Sequence, residues 1–358
     1  MSSILIVTDA WHPQINGVVR SLERTAQELV RMGVRVEFLT PGAFYTLPCP
    51  TYPEIRLSLA HRGMVRRAID RFACEHLHIA TEGPLGLLAA SVAKSRGEAF
   101  TTSYHTRFPE YLSARLPVPL DWSYAWLRRF HNSGQGCMVA TGTLESDLAA
   151  RGFTHLMRWS RGVDEEVFRP HEGSVLPKDL KGPIFMNVGR VAVEKNIEAF
   201  LDLDLPGTKV VVGGGPQLES LKRAYPDVHF TGPKVGEDLA RHYASADVFV
   251  FPSLTDTFGN VLLEALACGV PVAAFPVMGP LDVIGDTGAG VLSDDLREAC
   301  LAALDIPREH CRAIALNYTW AASARQFLDN ANRAHDIKAG IRRAPDAQGV
   351  TAPTGADL

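Results

Sequence analysis

Residues 253–272 read SLTDTFGNVLLEALACGVPV and contain the most informative helix of the chain. This helix, over 260–268, is apolar on nearly every side, which predicts that it is buried. Glu264 lies inside it, and Asp256 lies in the loop before it. A buried carboxylate costs roughly several kcal/mol unless a partner satisfies it. Because free N–H groups and the positive end of the helix dipole lie at a helix N-terminus, a polar ligand is predicted to bind there.

The sequence on both sides of this stretch alternates short apolar strands with amphipathic helices. Such alternation predicts parallel sheets covered by helices on both faces. It breaks once, at a proline-rich segment of mixed charge, and then restarts. We therefore expect an α/β protein with two Rossmann-like, doubly wound domains that face a cleft, and a C-terminal helix that crosses back to the first domain. The predicted parts are an N-terminal domain (1–168), a linker (169–183), a second domain (184–318), a closing helix (319–335) and a disordered tail (338–358).

Composition narrows the class of protein. With 358 residues, 46% of them hydrophobic, the chain can bury two large cores, and its net charge of −4 does not favour a nucleic-acid partner. The six cysteines are scattered without a CxxC pattern, which predicts reduced, buried thiols in a cytoplasmic protein. No apolar run reaches the ~18 residues of a membrane span, and the N-terminus lacks a signal-peptide pattern. We expect a cytoplasmic protein, with peripheral attachment to the inner membrane face as an option.

One candidate phosphate-binding stretch follows the first strand in each predicted domain. Gly17 opens the first helix, where a glycine lets the backbone approach a phosphate, although an ordinary tight turn would also need it. Arg190 and Lys195 follow the first strand of the second domain. Two cations there suit a diphosphate, because they neutralise the charge that grows on a leaving group. The alternative is a surface ion pair beside a solvated lysine.

Three further patterns have competing interpretations. The glycines at 213–215 lack the third glycine of a dinucleotide fingerprint, since position 218 is Leu, so close backbone packing is favoured. Asp202 and Asp204 match a metal-binding DxD, yet they end a helix, which favours solvated acids. No His/Cys cluster has metal-ligand spacing, and no metal is predicted. His105 ends a strand and could bind a substrate hydroxyl or carbonyl, or be a structural histidine.

The N-terminal half also carries a basic and aromatic surface. Its arginines share much of one helical face, and tryptophans follow on a later helix. Such a surface can dock on anionic lipid head groups, although a solvated basic face beside a core helix would have the same pattern. The residues are Arg62, Arg66, Arg67, Trp122, Trp126, Arg128 and Arg129.

Taken together, residues 3–335 resemble glycosyltransferase family 4, whose members have the GT-B fold. DTFGNVLLEALACGVPV (256–272) looks like the E-x7-E signature of that family, and NGVVRSL (16–22) looks like its glycine loop. VGRVAVEKN (188–196) is similar to its diphosphate clamp, and SRGVDEEVFRP (160–170) to its interdomain segment. One departure is that the first acid of the signature is Asp256, where the family usually has Glu.

The resemblance implies a role for each matching residue. Glu264 would hold the ribose hydroxyls, and Arg190 and Lys195 would hold the diphosphate together with the backbone N–H of Gly17. His105 would contact the transferred sugar from the first domain. The remaining sugar contacts would come from the Asp256 carboxylate and the backbone of Thr257, Phe258, Gly259 and Asn260. The implied catalytic set is Asp256, His105, Arg190 and Lys195.

The resemblance also implies the reaction. We expect a retaining glycosyltransferase, without a metal cofactor, that moves a hexose from a nucleotide sugar of the GDP-mannose or UDP-glucose/glucuronate type to a lipid or lipid-linked acceptor. Front-face attack, with the leaving phosphate oxygen taking the acceptor proton, would need no protein nucleophile. The alternatives are a soluble polysaccharide glycosyltransferase, a nucleotide-sugar epimerase and a non-catalytic nucleotide-sugar-binding subunit. The incomplete glycine fingerprint disfavours a Rossmann dehydrogenase.

Overall fold

The computed structural model describes residues 2–13, 17–49, 52–113 and 118–340. It contains two six-stranded parallel sheets, each flanked by helices, so the predicted α/β class is confirmed. Residues 169–183, predicted to be a linker, contain no helix or strand. Most of the tail predicted to be disordered, from residue 341 onward, lies outside the described residues.

The first sheet has the strand order β2-β1-β5-β6-β7-β8, and β3 and β4 form a separate antiparallel pair. The strands of this part are β1 (Ser3–Val7), β2 (Arg35–Leu39), β3 (Thr46–Cys49), β4 (Tyr52–Ser58), β5 (His76–Ile79), β6 (Phe100–Tyr104), β7 (Gly136–Val139) and β8 (Leu156–Arg158). The helices are α1 (Gly17–Arg31), α2 (Arg62–Phe72), α3 (Pro84–Arg96), α4 (Phe108–Ser113), α5 (Leu120–His131) and α6 (Gly142–Ala150).

The second sheet has the order β11-β10-β9-β12-β13-β14. Its strands are β9 (Ile184–Val188), β10 (Thr208–Val212), β11 (His229–Gly232), β12 (Val248–Phe251), β13 (Val272–Ala274) and β14 (Gly290–Leu292). The helices are α7 (Glu198–Leu201), α8 (Leu218–Ala224), α9 (Gly236–Ala244), α10 (Asn260–Ala267), α11 (Met278–Val283), α12 (Leu296–Ala303), α13 (Arg308–Ala315) and α14 (Trp320–Lys338).

Helices cover both faces of each sheet because a connection between parallel strands must cross over the sheet. In the first sheet, α1 and α14 share a core with Ile4 and Ile6, whereas α2, α3 and α5 share the opposite core with Leu5 and Val7. In the second sheet, α9, α10 and α13 cover one face, and α7, α8 and α12 cover the other. Both faces being buried explains why the strands read as continuous apolar runs.

Helix α14 packs on the first sheet, as the sequence predicted for the C-terminal helix. The indole Nε1 of Trp159 donates to Ser323 Oγ at 3.1 Å, and Ser323 Oγ donates to the carbonyl of Ser160 at 2.8 Å. Phe327 is fully buried, with its ring centroid 4.9 Å from that of Trp159. The C-terminal segment therefore ties the second sheet back to the first. None of the helices in the described ranges combines the length and hydropathy that a membrane span requires.

The sequence patterns did not predict strands β3, β4, β8 and β14 or helices α4 and α11. Strands β8 and β14 have three residues each, which is too short to show a periodicity, and α11 has Gly279 and Pro280 in its first turn, a pair that normally breaks helices. Strands β3 and β4 each contain a proline, a residue that is uncommon inside strands. The alternation of strands and helices predicts one helix over 194–201, but the structure has a 3₁₀ turn at Val193–Lys195 followed by α7, because Asn196 adopts a left-handed conformation.

Removing the Phe327 side chain should detach α14 from its core. Truncating a buried phenylalanine leaves a cavity, so we expect Phe327→Ala to lower the free energy of unfolding by about 3–5 kcal/mol. Urea unfolding followed by tryptophan fluorescence measures this change. The exposed Asp329→Ala on the same helix is the control, and an equal loss in both variants would contradict the packing described here.

Candidate active site

The order of the second sheet reverses between β9 and β12, which are neighbours in space. In open α/β sheets, ligands bind outside the carboxyl ends of the strands at such a reversal. The segment after β9 carries Arg190 and Lys195, and the loop after β12 carries Asp256. The fold therefore brings these predicted site residues to one edge of one sheet.

Lys195 and Asp256 are in direct contact. The ammonium Nζ lies 2.6 Å from Asp256 Oδ1 and 2.9 Å from Oδ2, and both side chains are partly buried. Asn196 donates from Nδ2 to the carbonyl of Pro252 at 3.0 Å, which links the β9 segment to the end of β12. The sequence analysis assigned Lys195 and Asp256 to different parts of a ligand, and the structure joins them in one ion pair. Arg190 is exposed beside them.

The N-terminus of α10 is built around Gly259. Its φ of +81° lies in the left-handed region, and a Cβ there would lie 3.1 Å from the Phe251 ring and 3.2 Å from Leu262. Glycine has no side chain with which to cap the helix, so the first N–H groups of α10 receive no side-chain cap. Phe258 is buried in the core, which leaves its backbone as the part able to meet a ligand.

Helix α1 of the first domain faces α10 across the interdomain interface. Asn260 donates from Nδ2 to Ser21 Oγ at 3.3 Å, and a Cβ on Gly17 would lie 3.8 Å from the same Nδ2 atom. Arg24 on α1 pairs with Asp164 of the interdomain segment at 2.6 Å. Gly17 and Asn260, which are far apart in sequence, are therefore neighbours at two helix N-termini.

Glu264 is largely enclosed between α10, α9 and α1. Tyr243 donates from its hydroxyl to Glu264 Oε2 at 3.1 Å, and Arg20 Nη1 lies 3.9 Å from Oε1. Burial raises the pKa of Glu264 to about 7, although Arg20 and the Tyr243 hydrogen bond act in the opposite direction. Sequence analysis missed both partners. The positions of Arg20 and Arg24 on the polar face of α1 were the available signal for Arg20.

His105 connects the first domain to the loop between β12 and α10. Its carbonyl accepts a hydrogen bond from Thr257 Oγ1 at 2.8 Å, and Thr141 Oγ1 donates to the carbonyl of Thr257 at 3.4 Å. On the same interface, Asp282 of α11 accepts from the backbone N–H groups of Gly142 and Thr143 at 2.9 and 3.1 Å. The loop that follows β12 is thus held from both domains.

In the first sheet the strand order reverses between β1 and β5, and Asp9 fills that crevice. Its carboxylate accepts from the backbone N–H groups of Leu85 and Gly86 at the start of α3, at 2.8 and 3.1 Å. The Thr81 hydroxyl donates to it at 3.1 Å, and burial raises the pKa of Asp9. A helix N-terminus that could bind phosphate is therefore occupied by the protein's own carboxylate, which favours the second sheet for a nucleotide.

The other patterns from the sequence have structural explanations. A side chain at Gly213 or Gly215 would collide with the carbonyl of Gly189 or Val191, so these glycines allow close packing of two loops. Asp202 and Asp204 are exposed after α7, and Tyr225 donates to Asp202 at 2.6 Å. Within the described ranges, no three His, Cys, Asp or Glu side chains are grouped as metal ligands.

The predicted basic and aromatic surface is exposed on α2 and α5, which cover the same face of the first sheet. Trp122 is 74% exposed and Trp126 is 42% exposed. The structure adds two apolar residues that sequence analysis missed, Phe108 and Leu120, which are 46% and 42% exposed. The exposed basic residues are Arg62, Arg66, Arg67, Arg128 and Arg129, of which Arg128 also donates to the carbonyl of Arg151 at 2.8 Å.

The raised pKa of Glu264 makes stability depend on pH. Between its ordinary pKa of 4.5 and about 7, the folded protein holds a proton that the unfolded chain releases. Stability from the neutral carboxyl is therefore present below pH 4.5 and lost as pH rises through 7. Since Gln is neutral at every pH, we expect Glu264→Gln to gain about 1–3 kcal/mol relative to wild type between pH 5 and pH 8.

Urea unfolding at the two pH values measures this difference. Glu309→Gln, at an exposed position on α13, is the control and should shift equally at both pH values. A Glu264→Gln difference that stays constant from pH 5 to pH 8 would show that Glu264 is ionised throughout.

Comparison with known proteins identifies the family. Residues 15–167 match the model for Glycosyltransferase Family 4, and residues 182–306 match the model for Glycosyl transferases group 1. A GDP-mannose-dependent alpha-mannosyltransferase of Mycobacterium tuberculosis is 32% identical over 81% of this chain and 83% of its own length. Sulfoquinovosyl transferase SQD2 of Arabidopsis thaliana is 31% identical over 77% of this chain, which spans only 60% of that protein. Alpha-monoglucosyldiacylglycerol synthase of Streptococcus pneumoniae is 26% identical over 84% of this chain and 77% of its own length.

Solved structures show the same fold. Sucrose-phosphate synthase from Thermosynechococcus elongatus superimposes with a TM-score of 0.75 at 20% identity, covering 94% of this chain and all of that one. The Anabaena protein HepE, solved with UDP and glucose, superimposes with a TM-score of 0.67 at 15% identity, covering 92% of this chain and 99% of that one. With the family models and the mycobacterial relative, these similarities confirm the predicted family and fold: the chain belongs to glycosyltransferase family 4 and is a hexosyltransferase with the GT-B fold.

Proposed function

We propose that the protein is a retaining hexosyltransferase that binds a nucleotide sugar at the reversal point of the second sheet and transfers the sugar to a lipid acceptor. The Lys195–Asp256 pair carries this proposal, because Asp256 belongs to the loop that leads into α10, whose N-cap residue Gly259 provides no side-chain cap. A cation, a carboxylate and free backbone N–H groups at one strand edge match a sugar joined to a diphosphate. The non-catalytic alternative is disfavoured because the charged set is complete.

Each residue has a defined task in this proposal. Lys195 and Arg190 bind the diphosphate and neutralise the negative charge that grows on the leaving nucleotide. Asp256 accepts hydrogen bonds from sugar hydroxyls while it orients Lys195, and the backbone of Thr257 to Asn260 supplies donors to the same sugar. Glu264 accepts hydrogen bonds from the ribose hydroxyls of the nucleotide.

In this proposal the anomeric configuration of the sugar is retained, because the acceptor hydroxyl attacks the same face of the sugar from which the phosphate leaves. The departing phosphate oxygen takes the proton of the acceptor hydroxyl, so the protein needs to supply neither a nucleophile nor a metal. Its contribution is to hold both partners in position and to stabilise the charge on the leaving group. Closure of α1 against α10 excludes water from the reacting atoms.

The donor is proposed to be GDP-mannose. Several relatives are named as GDP-mannose-dependent mannosyltransferases, including the one from Mycobacterium tuberculosis. Others are named for sulfoquinovosyl or glucosyl transfer, so UDP-sugars are the second option. A soluble polysaccharide acceptor and an epimerase reaction stay as alternatives, and turnover of a water-soluble acceptor without vesicle binding would favour the first of them.

The acceptor is proposed to be presented by an anionic membrane surface. Helices α2 and α5 expose arginines and tryptophans on one face of the first sheet, and Phe108 and Leu120 enlarge the apolar part. Helices that follow parallel strands begin at the carboxyl edge of the sheet, which is the edge that faces the second domain. Trp122, near the start of α5, would therefore anchor the protein with its cleft close to the lipid head groups.

Replacing Lys195 should abolish transfer. We expect Lys195→Met to lower kcat by at least about 100-fold, because a group that stabilises the leaving charge typically contributes that much. Nucleoside diphosphate release from GDP-mannose and from UDP-glucose, with a lipid extract as acceptor, measures the rate. Lys222→Met on α8 removes an exposed lysine from the same domain and should keep full activity.

A thermal-shift series against GDP-, UDP- and ADP-sugars identifies the donor, since a ligand that binds only the folded state raises stability. The preferred nucleotide sugar should raise the Tm of wild type and of Lys222→Met but not of Lys195→Met. Full turnover by Lys195→Met would contradict the site assignment.

Removing the tryptophans should weaken binding to anionic vesicles. Each buried indole contributes apolar contact area, and about 1.4 kcal/mol corresponds to a tenfold change in affinity. We therefore expect the double variant Trp122→Ser/Trp126→Ser to bind phosphatidylglycerol vesicles at least ~10-fold more weakly in flotation. Val235→Ser, at an exposed apolar position in the second domain, should bind as wild type does. Equal flotation by all three proteins would place the membrane surface elsewhere.

A further inference from the structure

The ring of His105 is held by an arginine rather than by a carboxylate. Arg161 Nη2 lies 3.1 Å from His105 Nδ1. A guanidinium has only N–H donors and no acceptor, so Nδ1 must be the acceptor in this contact. A neutral imidazole carries one N–H, which must then be at Nε2. The contact with Arg161 therefore selects one of the two tautomers and excludes the doubly protonated ring.

Several contacts hold the buried side chain of Arg161 next to His105. It is 5% exposed, and its Nη1 donates to the carbonyls of Trp159 and Ser160 at 2.8 and 3.2 Å. Its guanidinium also stacks on the Trp159 ring, 4.1 Å from the centroid. Among the described residues, none of the hydrogen-bond acceptors found for Arg161 is a carboxylate, and burial lowers its pKa to about 9. An arginine buried without an anion is costly, which argues that its contact with His105 has a use.

The surroundings of His105 also oppose its protonation. Burial, followed by the positive charge of Arg161 and by the neighbouring His78 and His131, lowers the pKa of His105 well below its ordinary value. His78 is held between Thr101 and Ser103 and has a pKa of about 3, so it is neutral. Burial acts to lower the pKa of His131, but Cys137 and Glu82, the latter in contact at 3.1 Å, raise it to about 10. His105 therefore stays neutral throughout the physiological range.

The N–H of His105 has no protein acceptor. Nε2 is buried and has no hydrogen-bond partner in the part of the chain that the structure describes. An unpaired buried donor is unfavourable in the free protein, and a bound acceptor would relieve this. The backbone of the same residue is fixed to Thr257, next to Asp256. The unpaired N–H and its position beside the loop between β12 and α10 both point to a ligand.

We propose that Arg161 is a positioning residue that holds His105 as the neutral Nε2–H tautomer, and so fixes as a donor the N–H with which His105, by the family resemblance, would contact the transferred sugar. The proposal rests on the proposed function, because it takes the ligand to be a nucleotide sugar. His105 then acts as a fixed hydrogen-bond donor and not as a general acid or base. In Arg161→Met, the acceptor nitrogen loses its partner, so the ring can exchange tautomers or gain a proton.

The first test reads the tautomer directly and needs no turnover. The full-length protein is labelled with ¹⁵N-histidine, and the His105 signals are assigned with His105→Gln. Wild type should show an unprotonated Nδ1 and a protonated Nε2 that do not titrate between pH 5.5 and 8.5. Arg161→Met should show mixed tautomers or a titrating ring, and Arg161→Lys, which retains a donor, should restore the wild-type pattern. Wild-type signals in Arg161→Met would overturn the role of Arg161.

The second test uses wild-type protein and the sugar itself. Adding GDP-mannose or UDP-glucose should shift the His105 Nε2–H signal, whereas GDP or UDP alone should leave it in place. The nucleotide sugar that raises the Tm is the one that binds. If it leaves the His105 Nε2–H signal unmoved, the contact between His105 and the sugar is overturned. Because this test needs no substitution, it holds even where Arg161→Met does not fold.

The third test separates positioning from structural support. Arg161→Met should lower kcat by about 100-fold, change KM for the donor by less than about threefold, and add a loss of activity at low pH that wild type lacks. Arg308→Met is the control, since Arg308, like Arg161, donates to two backbone carbonyls, here those of Ala246 and Ala244, but is not in contact with His105 among the described residues. Wild-type kcat with a flat pH profile in Arg161→Met would overturn the inference. Absence of transfer by wild type would contradict the proposed function alone, since the tautomer is measured without turnover.

Discussion

The burial of α10 is the constraint on which the rest of the structure depends. Because this helix is apolar on nearly every side, it is enclosed by α9, α13 and the second sheet, and its N-terminus and Glu264 are left to face α1 of the first domain. Gly259 ends the loop in a left-handed conformation that starts the helix at the sheet edge. Glu264 is carried into the interior by the same packing, which explains why it needs Tyr243 and Arg20.

The interface between the domains combines groups whose charge is controlled by burial. Burial raises the pKa of Glu264 to about 7, lowers the pKa of His105 well below its ordinary value, and lowers the pKa of Arg161 to about 9. In the described part of the chain, the hydrogen-bond partners of Arg161 include no carboxylate. Two pairs at this interface neutralise each other directly, Lys195 with Asp256 and Arg24 with Asp164. Such a set is poorly solvated without a ligand, and a nucleotide sugar offers hydroxyls and a diphosphate that would satisfy it.

The sequence patterns predicted the strands and helices that are regularly patterned, and they did not predict short or proline-containing elements such as β8, β14, α11 and the β3–β4 pair. They also predicted Asp256 and Glu264 as a pair, because their spacing is local and the loop and helix between them are short. They did not predict that Lys195 contacts Asp256, since either residue alone could be a solvated side chain. Partners such as Arg20 and Tyr243 were missed for the same reason: nothing near them in sequence distinguishes them from other polar residues on a helix.

Local sequence was enough to predict two doubly wound sheets, the family and the loop and helix that follow β12, because periodicity, glycine positions and motif order depend on neighbouring residues. The tertiary structure decided which charges meet. It filled the crevice of the first sheet with Asp9, joined Lys195 to Asp256, and placed Arg161 against His105. Charge and tautomer depend on burial and on partners distant in sequence, and only the folded chain brings those partners within hydrogen-bonding distance.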